Sequence, residues 1–287
     1  MKSDDEKRKK PLGWVPNKRY LSIAAGMALF LPPLALVPQI AGAVNLCGVA
    51  CPRMFFIIPA GGLPGGLIEG FENNIRAEWF GASLVGAILI TTFFLGRLWC
   101  SHLCPVGGST ELVSRLVPRR LKIDFTFMHA PAFRYAYFAV FAAGAAMGIG
   151  GISCKLCNFR VVPFLAGAPF VPAYRTYLLS PVGLAALAAL SLTGFLAKGG
   201  RAYCNLFCPV GALDSMANYM GGKLGLAKRM RTDPSRCNGC GRCTGSCMVW
   251  ALSTGDDGKI KRDQASCISC GQCTKVCPRE AIRYGRP

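Results

Sequence analysis

The sequence predicts an α-helical membrane protein with four transmembrane helices in two pseudo-symmetric repeats, followed by a small cysteine-rich α+β domain. Three observations carry this. Leu21–Val44, Trp79–Leu95, Tyr135–Ser153 and Tyr177–Ala197 are apolar and free of charge, and a bilayer span needs about 20 such residues. Cys100-x3-Cys104-Pro-Val-Gly recurs 104 residues later as Cys204-x3-Cys208-Pro-Val-Gly. Near the C-terminus, C-x2-C-x2-C-x3-C occurs twice, 30 residues apart.

Residues 1–20 form a basic segment with seven Lys/Arg. The first span follows; Pro32, Pro33 and Pro38 should kink it. It has a basic start but no clear A-x-A site, so it reads as an uncleaved anchor. The connections at 97–134 and from 198 onward carry six and fifteen Lys/Arg, whereas 45–78 and 154–176 carry two and three. Both termini are therefore expected in the cytoplasm of a multi-pass bacterial inner-membrane protein. This explains a formal charge of +19 beside a mean hydropathy of +0.36, with no need for nucleic acid as a partner.

Each repeat reads as an outward span, a cysteine pair, a re-entrant or interfacial segment, an inward span and C-x3-C-P. The outward spans lead to Cys47-x3-Cys51 and Cys154-x2-Cys157. Cysteines four apart at a helix end share a face, so pseudo-symmetry would gather Cys100, Cys104, Cys204 and Cys208 at the inner end. Cys47, Cys51, Cys154 and Cys157 would gather at the outer end. Either quartet suits a further iron–sulfur cluster. Free thiols or a redox dithiol are the alternatives inside, and disulfides outside. Met54–Pro64 and Phe159–Pro172 offer Phe55, Phe56, Phe159 and Phe164 as apolar surface for a quinone, with Arg53 and Arg160 as donors. Interfacial anchoring is the simpler reading of those aromatics. His102 and His129 are the only histidines, which leaves little room for bis-His haem.

The C-terminal cysteines follow the ligand spacing of bacterial two-cluster ferredoxins. In that pattern Cys237, Cys240, Cys243 and Cys277 hold one [4Fe–4S] cluster, and Cys267, Cys270, Cys273 and Cys247 the other. Structural zinc fits less well, because zinc ligands come as pairs split by a longer spacer. The expected domains are the basic segment 1–20, the membrane domain 21–230 and a two-cluster ferredoxin domain 231–287.

The twin C-x3-C-P motifs, the four spans and the C-terminal ferredoxin resemble the NapH/MauN membrane ferredoxins over nearly the whole chain. The membrane half is also similar to that of the NosR regulators. The resemblance implies a quinol dehydrogenase membrane component, working with a periplasmic or membrane redox protein in a multi-subunit complex. A redox-sensing or maturation factor and a membrane anchor for a catalytic partner are the other roles it allows. No nucleotide, flavin or acid/base motif points to a stand-alone enzyme.

Overall fold

The computed structural model describes residues 18–36, 51, 79–146, 154–223 and 227–286. Helix α1 (Lys18–Phe30) stops where Pro32 and Pro33 enter, and a short 3₁₀ turn follows at Leu34–Leu36. Proline cannot donate to the helical ladder and biases its predecessor away from the α region. The rest of the first predicted span lies outside the described residues. Helix α2 (Trp79–Leu95) coincides with the second. A π-helical turn at Trp99–Leu103 leads into α3 (Pro105–Leu116), which starts directly after Cys104.

Helix α4 (Ala130–Ala146) opens five residues before the predicted span. The segment after Cys157, expected as a re-entrant or interfacial run, folds as two short helices, α5 (Asn158–Gly167) and α6 (Pro172–Leu179). The fourth predicted span began at Tyr177, but its helix is broken at Ser180. Pro181 drives Ser180 out of helical geometry, and the Ser180 hydroxyl accepts from Gly183 N–H to cap α7 (Pro181–Leu190). A π turn at Ser191–Phe195 continues α7, and α6 meets this helix at 83°. Among the described residues no single helix is long and apolar enough to cross a membrane; this bent pair meets that test together.

The second cysteine motif builds α8 (Ala202–Leu206) and α9 (Pro209–Gly222). In both repeats the last cysteine of the motif is extended and proline takes the first helical position, where its missing N–H costs nothing.

The C-terminal domain starts at β1 (Arg229–Thr232), two residues before the expected boundary. It continues through α10 (Arg242–Ser246), β2 (Leu252–Thr254), β3 (Ile260–Arg262), α11 (Gln272–Val276) and β4 (Ile282–Gly285). β1 pairs antiparallel with β4, and β2 with β3. The first strand therefore clasps the last, and Met230, Leu252, Ile260 and Ile282 close one core between the copies.

This domain docks on the cysteine-bearing end of the helical part. Asn205 Nδ2 donates to Val249 O (2.9 Å), and Asn218 Nδ2 to Gln264 O (2.6 Å) and Cys267 O (3.1 Å). Tyr284 donates to Leu95 O (2.6 Å). Gly199 makes the approach close. It sits at φ +85°, and a Cβ there would lie 2.5 Å from the Met248 carbonyl oxygen. Gly199→Ala combines a left-handed alanine, costing about 1–2 kcal/mol, with a backbone collision. We expect faster hydrogen exchange across residues 248–251 and 264–269 in that variant. Gly86→Ala, whose Cβ meets nothing within 4 Å, should leave exchange there unchanged.

Candidate iron–sulfur sites

In the C-terminal domain, Cys237, Cys240, Cys243 and Cys277 line one hollow with Thr232, Ile260 and Ile282. Cys243 is within electrostatic reach of Cys277 and Cys240. Cys247 instead faces Cys270 and Cys267, and Cys273 faces Cys270, Cys267 and Cys247. The fourth cysteine of each motif thus stands with the other motif's three, the juxtaposition expected from the spacing. Ala251 N–H and Ala281 N–H point at the sulfurs of Cys247 and Cys277, each at 3.3 Å. Gly239 and its counterpart Ser269 are both left-handed, at φ +71° and +52°, as are Gly241 and Gly271. Such turns aim backbone N–H groups inward, as a sulfur-ligated anion requires.

The structure also gathers Cys100, Cys104, Cys204 and Cys208. Cys104 faces Cys204, and Cys208 faces Cys204, Cys100 and Cys104. None of the four is disulfide-bonded. Gly211 N–H donates to the Cys208 sulfur at 3.2 Å. Burial pushes the Cys104 thiol up to about 11, and burial likewise raises Cys100 and Cys208. A reactive dithiol has a depressed pKa, and burial moves these thiols the other way. Among the described residues no group of three or more His, Cys, Asp or Glu closes around a single ion.

The surroundings of this quartet were not legible in the sequence. Gly96-Arg97 and Gly200-Arg201 precede the two motifs, and each arginine crosses to an acid in the other repeat. Arg97 Nε donates to Asp214 Oδ2 on α9, and Arg201 Nε to Glu111 Oε2 on α3, both at 2.9 Å. All four side chains are buried. Arg19 adds a two-pronged contact to Glu111 at 2.9 and 2.6 Å. Burial alone would raise the Glu111 carboxyl, but Arg201 and Arg19 outweigh it and hold it at about 2. Arg134, also buried, donates to Asn205 O (2.8 Å), to the Ser215 hydroxyl and to Ser266 Oγ (3.0 Å), tying α4, α8, α9 and the C-terminal domain together.

Arg19, Arg97, Arg134 and Arg201 thus surround the quartet with only Asp214 and Glu111 as buried counter-charges. Four neutral thiols would leave these buried arginines in excess of their buried acids, with only the half-buried Asp263 near Arg134 as a further offset, which is costly. A [4Fe–4S]2+ core with four thiolates is a dianion and balances them. Trp99 fits the same picture. Its buried Nε1–H has no hydrogen-bond partner among the described residues. Its side chain packs both on the quartet's core and on the small core of Cys100, Val249, Ala251 and Ile268 that Cys247, Cys267 and Cys270 also join. Cys100 itself packs on Val249, Ala251 and Ile268, so the quartet abuts the Cys267, Cys270, Cys273 and Cys247 set.

Of the predicted outer quartet, Cys157 lies beside the second C-x3-C-P motif rather than a membrane's width from it. The Cys157 sulfur is 3.1 Å from the Tyr203 hydroxyl, one residue before Cys204. The reason is packing: Cys157 caps α5, whose Phe159, Val161 and Val162 enter the same core as Cys104, Tyr203 and Cys208. Cys51 and Cys154 are half-buried; Cys47 lies outside the described residues. Of the suggested quinone residues, Arg53, Phe55 and Phe56 lie outside them too. Arg160 lies over the rings of Phe164 and Tyr177, at 5.2 and 4.6 Å. His102 shares a hydrogen with Ser101 Oγ at 2.6 Å and takes no place in the quartet.

Residues 78–124 and again 179–227 match the family described as 4Fe-4S binding domain, and residues 236–282 the family described as 4Fe-4S dicluster domain. The chain therefore carries 4Fe–4S ferredoxin-type domains, and its chemistry is that of iron–sulfur electron transfer. The two former matches coincide with the two repeats around C-x3-C-P. No curated protein and no solved structure matches the chain.

Proposed function

We propose that the protein is a membrane-bound electron-transfer subunit of the NapH/MauN type, passing electrons between the quinone pool and a partner reductase or its redox chain. The observation that carries the reading is the contact order of the cysteine sets. The Cys237 set neighbours the Cys267 set, which abuts the Cys100 quartet at the ends of the apolar helices. Each bound [4Fe–4S] cluster supplies one-electron redox chemistry; the protein supplies ligands, spacing, buried counter-charge and exclusion of water.

The membrane part of the reading is supported by exposed apolar side chains along the helices: Ile90 and Phe94 on α2, Val140 on α4, Leu184 on α7 and Leu192 beyond it are between 48% and 68% exposed. Such surface on several helices calls for lipid or a partner. Arg97, just past α2, and Arg134, near the start of α4, both donate to Ala265 O of the C-terminal domain, while Arg19 on α1 and Arg201 beyond α7 donate to Ser101 O and Cys100 O beside it. These helix ends lie on one side, as the orientation read from Lys/Arg bias requires. The test is anaerobic purification in detergent, followed by iron and sulfide counting and reduction with a short-chain quinol. Three ligated quartets give about 12 irons per chain, and quinol should produce reduced-cluster EPR signals. A fully loaded protein that quinol does not reduce would remove the quinone from the reading.

A further inference from the structure

The two ferredoxin motifs are a built-in comparison. Their sequences are related by a shift of 30 residues, yet their surroundings differ. The second loop, residues 265–272, lies under the helical domain, with Ile268, Ser269 and Gln272 buried. The first, residues 235–242, faces solvent, and its Cys240 is exposed. The residues at matching positions differ accordingly. Where the covered loop has Ser266, Ile268 and Gln272, the open loop has Arg236, Asn238 and Arg242. Arg279, also exposed, joins Arg236 around the mouth beside Cys237. Of the acids near this rim, Asp233 pairs with Arg236 at 3.5 Å and Glu280 with Arg283 at 3.4 Å. Arg242 and Arg279 have no carboxylate within ion-pair distance among the described residues.

We infer that this arginine-rimmed face around Cys240 is the docking surface for a small acidic one-electron carrier protein of the ferredoxin or flavodoxin type. The inference rests on the electron-transfer reading above and adds the port and the chemistry of the partner. The physical grounds are exposure and sign. Among the described cysteines of the two ferredoxin motifs only Cys240 is exposed, and tunnelling requires the donor to come close. A cationic rim steers an anionic protein and raises its association rate by about 10- to 1,000-fold at low salt. The covered copy, which no carrier can reach, has no arginine at the equivalent positions. In the step itself, one electron leaves the reduced centre of the carrier and enters the cluster held by Cys237, Cys240, Cys243 and Cys277. No bond forms or breaks, and the carrier is released one electron oxidised.

The experiment mixes purified, oxidised protein with photoreduced acidic flavodoxin in a stopped-flow instrument, across a salt series. The test variant carries Arg236→Glu, Arg242→Glu and Arg279→Glu. The control carries Arg119→Glu and Arg120→Glu, two exposed arginines elsewhere. The second-order rate should fall with salt in the parent. It should drop at least about tenfold in the test variant at low salt, converge with the parent at high salt, and hold in the control. Reduction by methyl viologen radical, a small cation, should not slow in either. Dithionite EPR on every sample separates the two readings. Normal cluster signals with a flavodoxin rate indifferent to the three reversals overturn the docking surface alone. A parent without reducible clusters overturns the electron-transfer reading and the surface with it.

Discussion

Replacing Glu111 with Gln should cost about 3–5 kcal/mol of stability at neutral pH, the range for breaking a buried ion pair. Glutamine keeps the shape but strands Arg19 and Arg201, which are buried and share this one carboxylate. The sign with pH follows from the depressed carboxyl. Its folded pKa of about 2 lies below its ordinary value of 4.5, so the contribution is complete above pH 4.5 and is lost as pH falls toward 2. At pH 7 it is fully present, and that is where the variant should be compared, by thermal melting in detergent. A double-mutant cycle adds the discriminating result. Arg19→Gln in the Glu111→Gln background removes one stranded cation, so the two losses should fall short of additive by about 0.5–3 kcal/mol. Strict additivity would show that the network does not act as a unit.

That network also marks the limit of what the sequence reveals. Cysteine ligands are legible because their spacing is local and repeated; the 30-residue and 104-residue shifts fix both ferredoxin motifs and both C-x3-C-P motifs without any tertiary knowledge. Helix Trp79–Leu95 is equally plain as a helix, because an uninterrupted apolar run of 17 residues is too long for a strand. Partners across the repeats leave no such trace. Glu111 lies seven residues after Cys104 and Asp214 six after Cys208, so even the internal comparison does not align them. The signal the two copies do share is Gly-Arg before each motif, and its meaning appears only when Arg97 meets Asp214 and Arg201 meets Glu111. The break at Ser180 could be read from Pro181 alone; a hydropathy window simply averages over it. The placement of Cys157 beside Tyr203 depends on how α5 folds back into the core, and no periodicity encodes that turn.

Replacing Cys247 with Ser should abolish the cluster site shared with Cys267, Cys270 and Cys273 and spare the one among its own sequence neighbours. The ground is geometric. Cys247 packs with Cys267 and Cys270 on one small core, while Cys243, four residues earlier, lines one hollow with Cys277. The strand pairing explains the exchange: β1 joins β4 around a shared core, so each motif's last cysteine leaves its short helix pointing at the other motif's loop. The consequence is larger than the loss of one site. The Cys267 set is the one in contact with Cys100 and Trp99, so its removal cuts the connection between the solvent-facing set and the buried quartet. In the variant, an external reductant should still reduce the cluster among Cys237, Cys240, Cys243 and Cys277, with its EPR signal intact. Iron should fall by about four per chain. Electrons supplied at the exposed face should no longer reach the quartet on the timescale seen in the parent. Loss of the signal from the Cys237 set, with the Cys267 set preserved, would show that each motif ligates its own cluster and would undo both the crossing and the relay built on it.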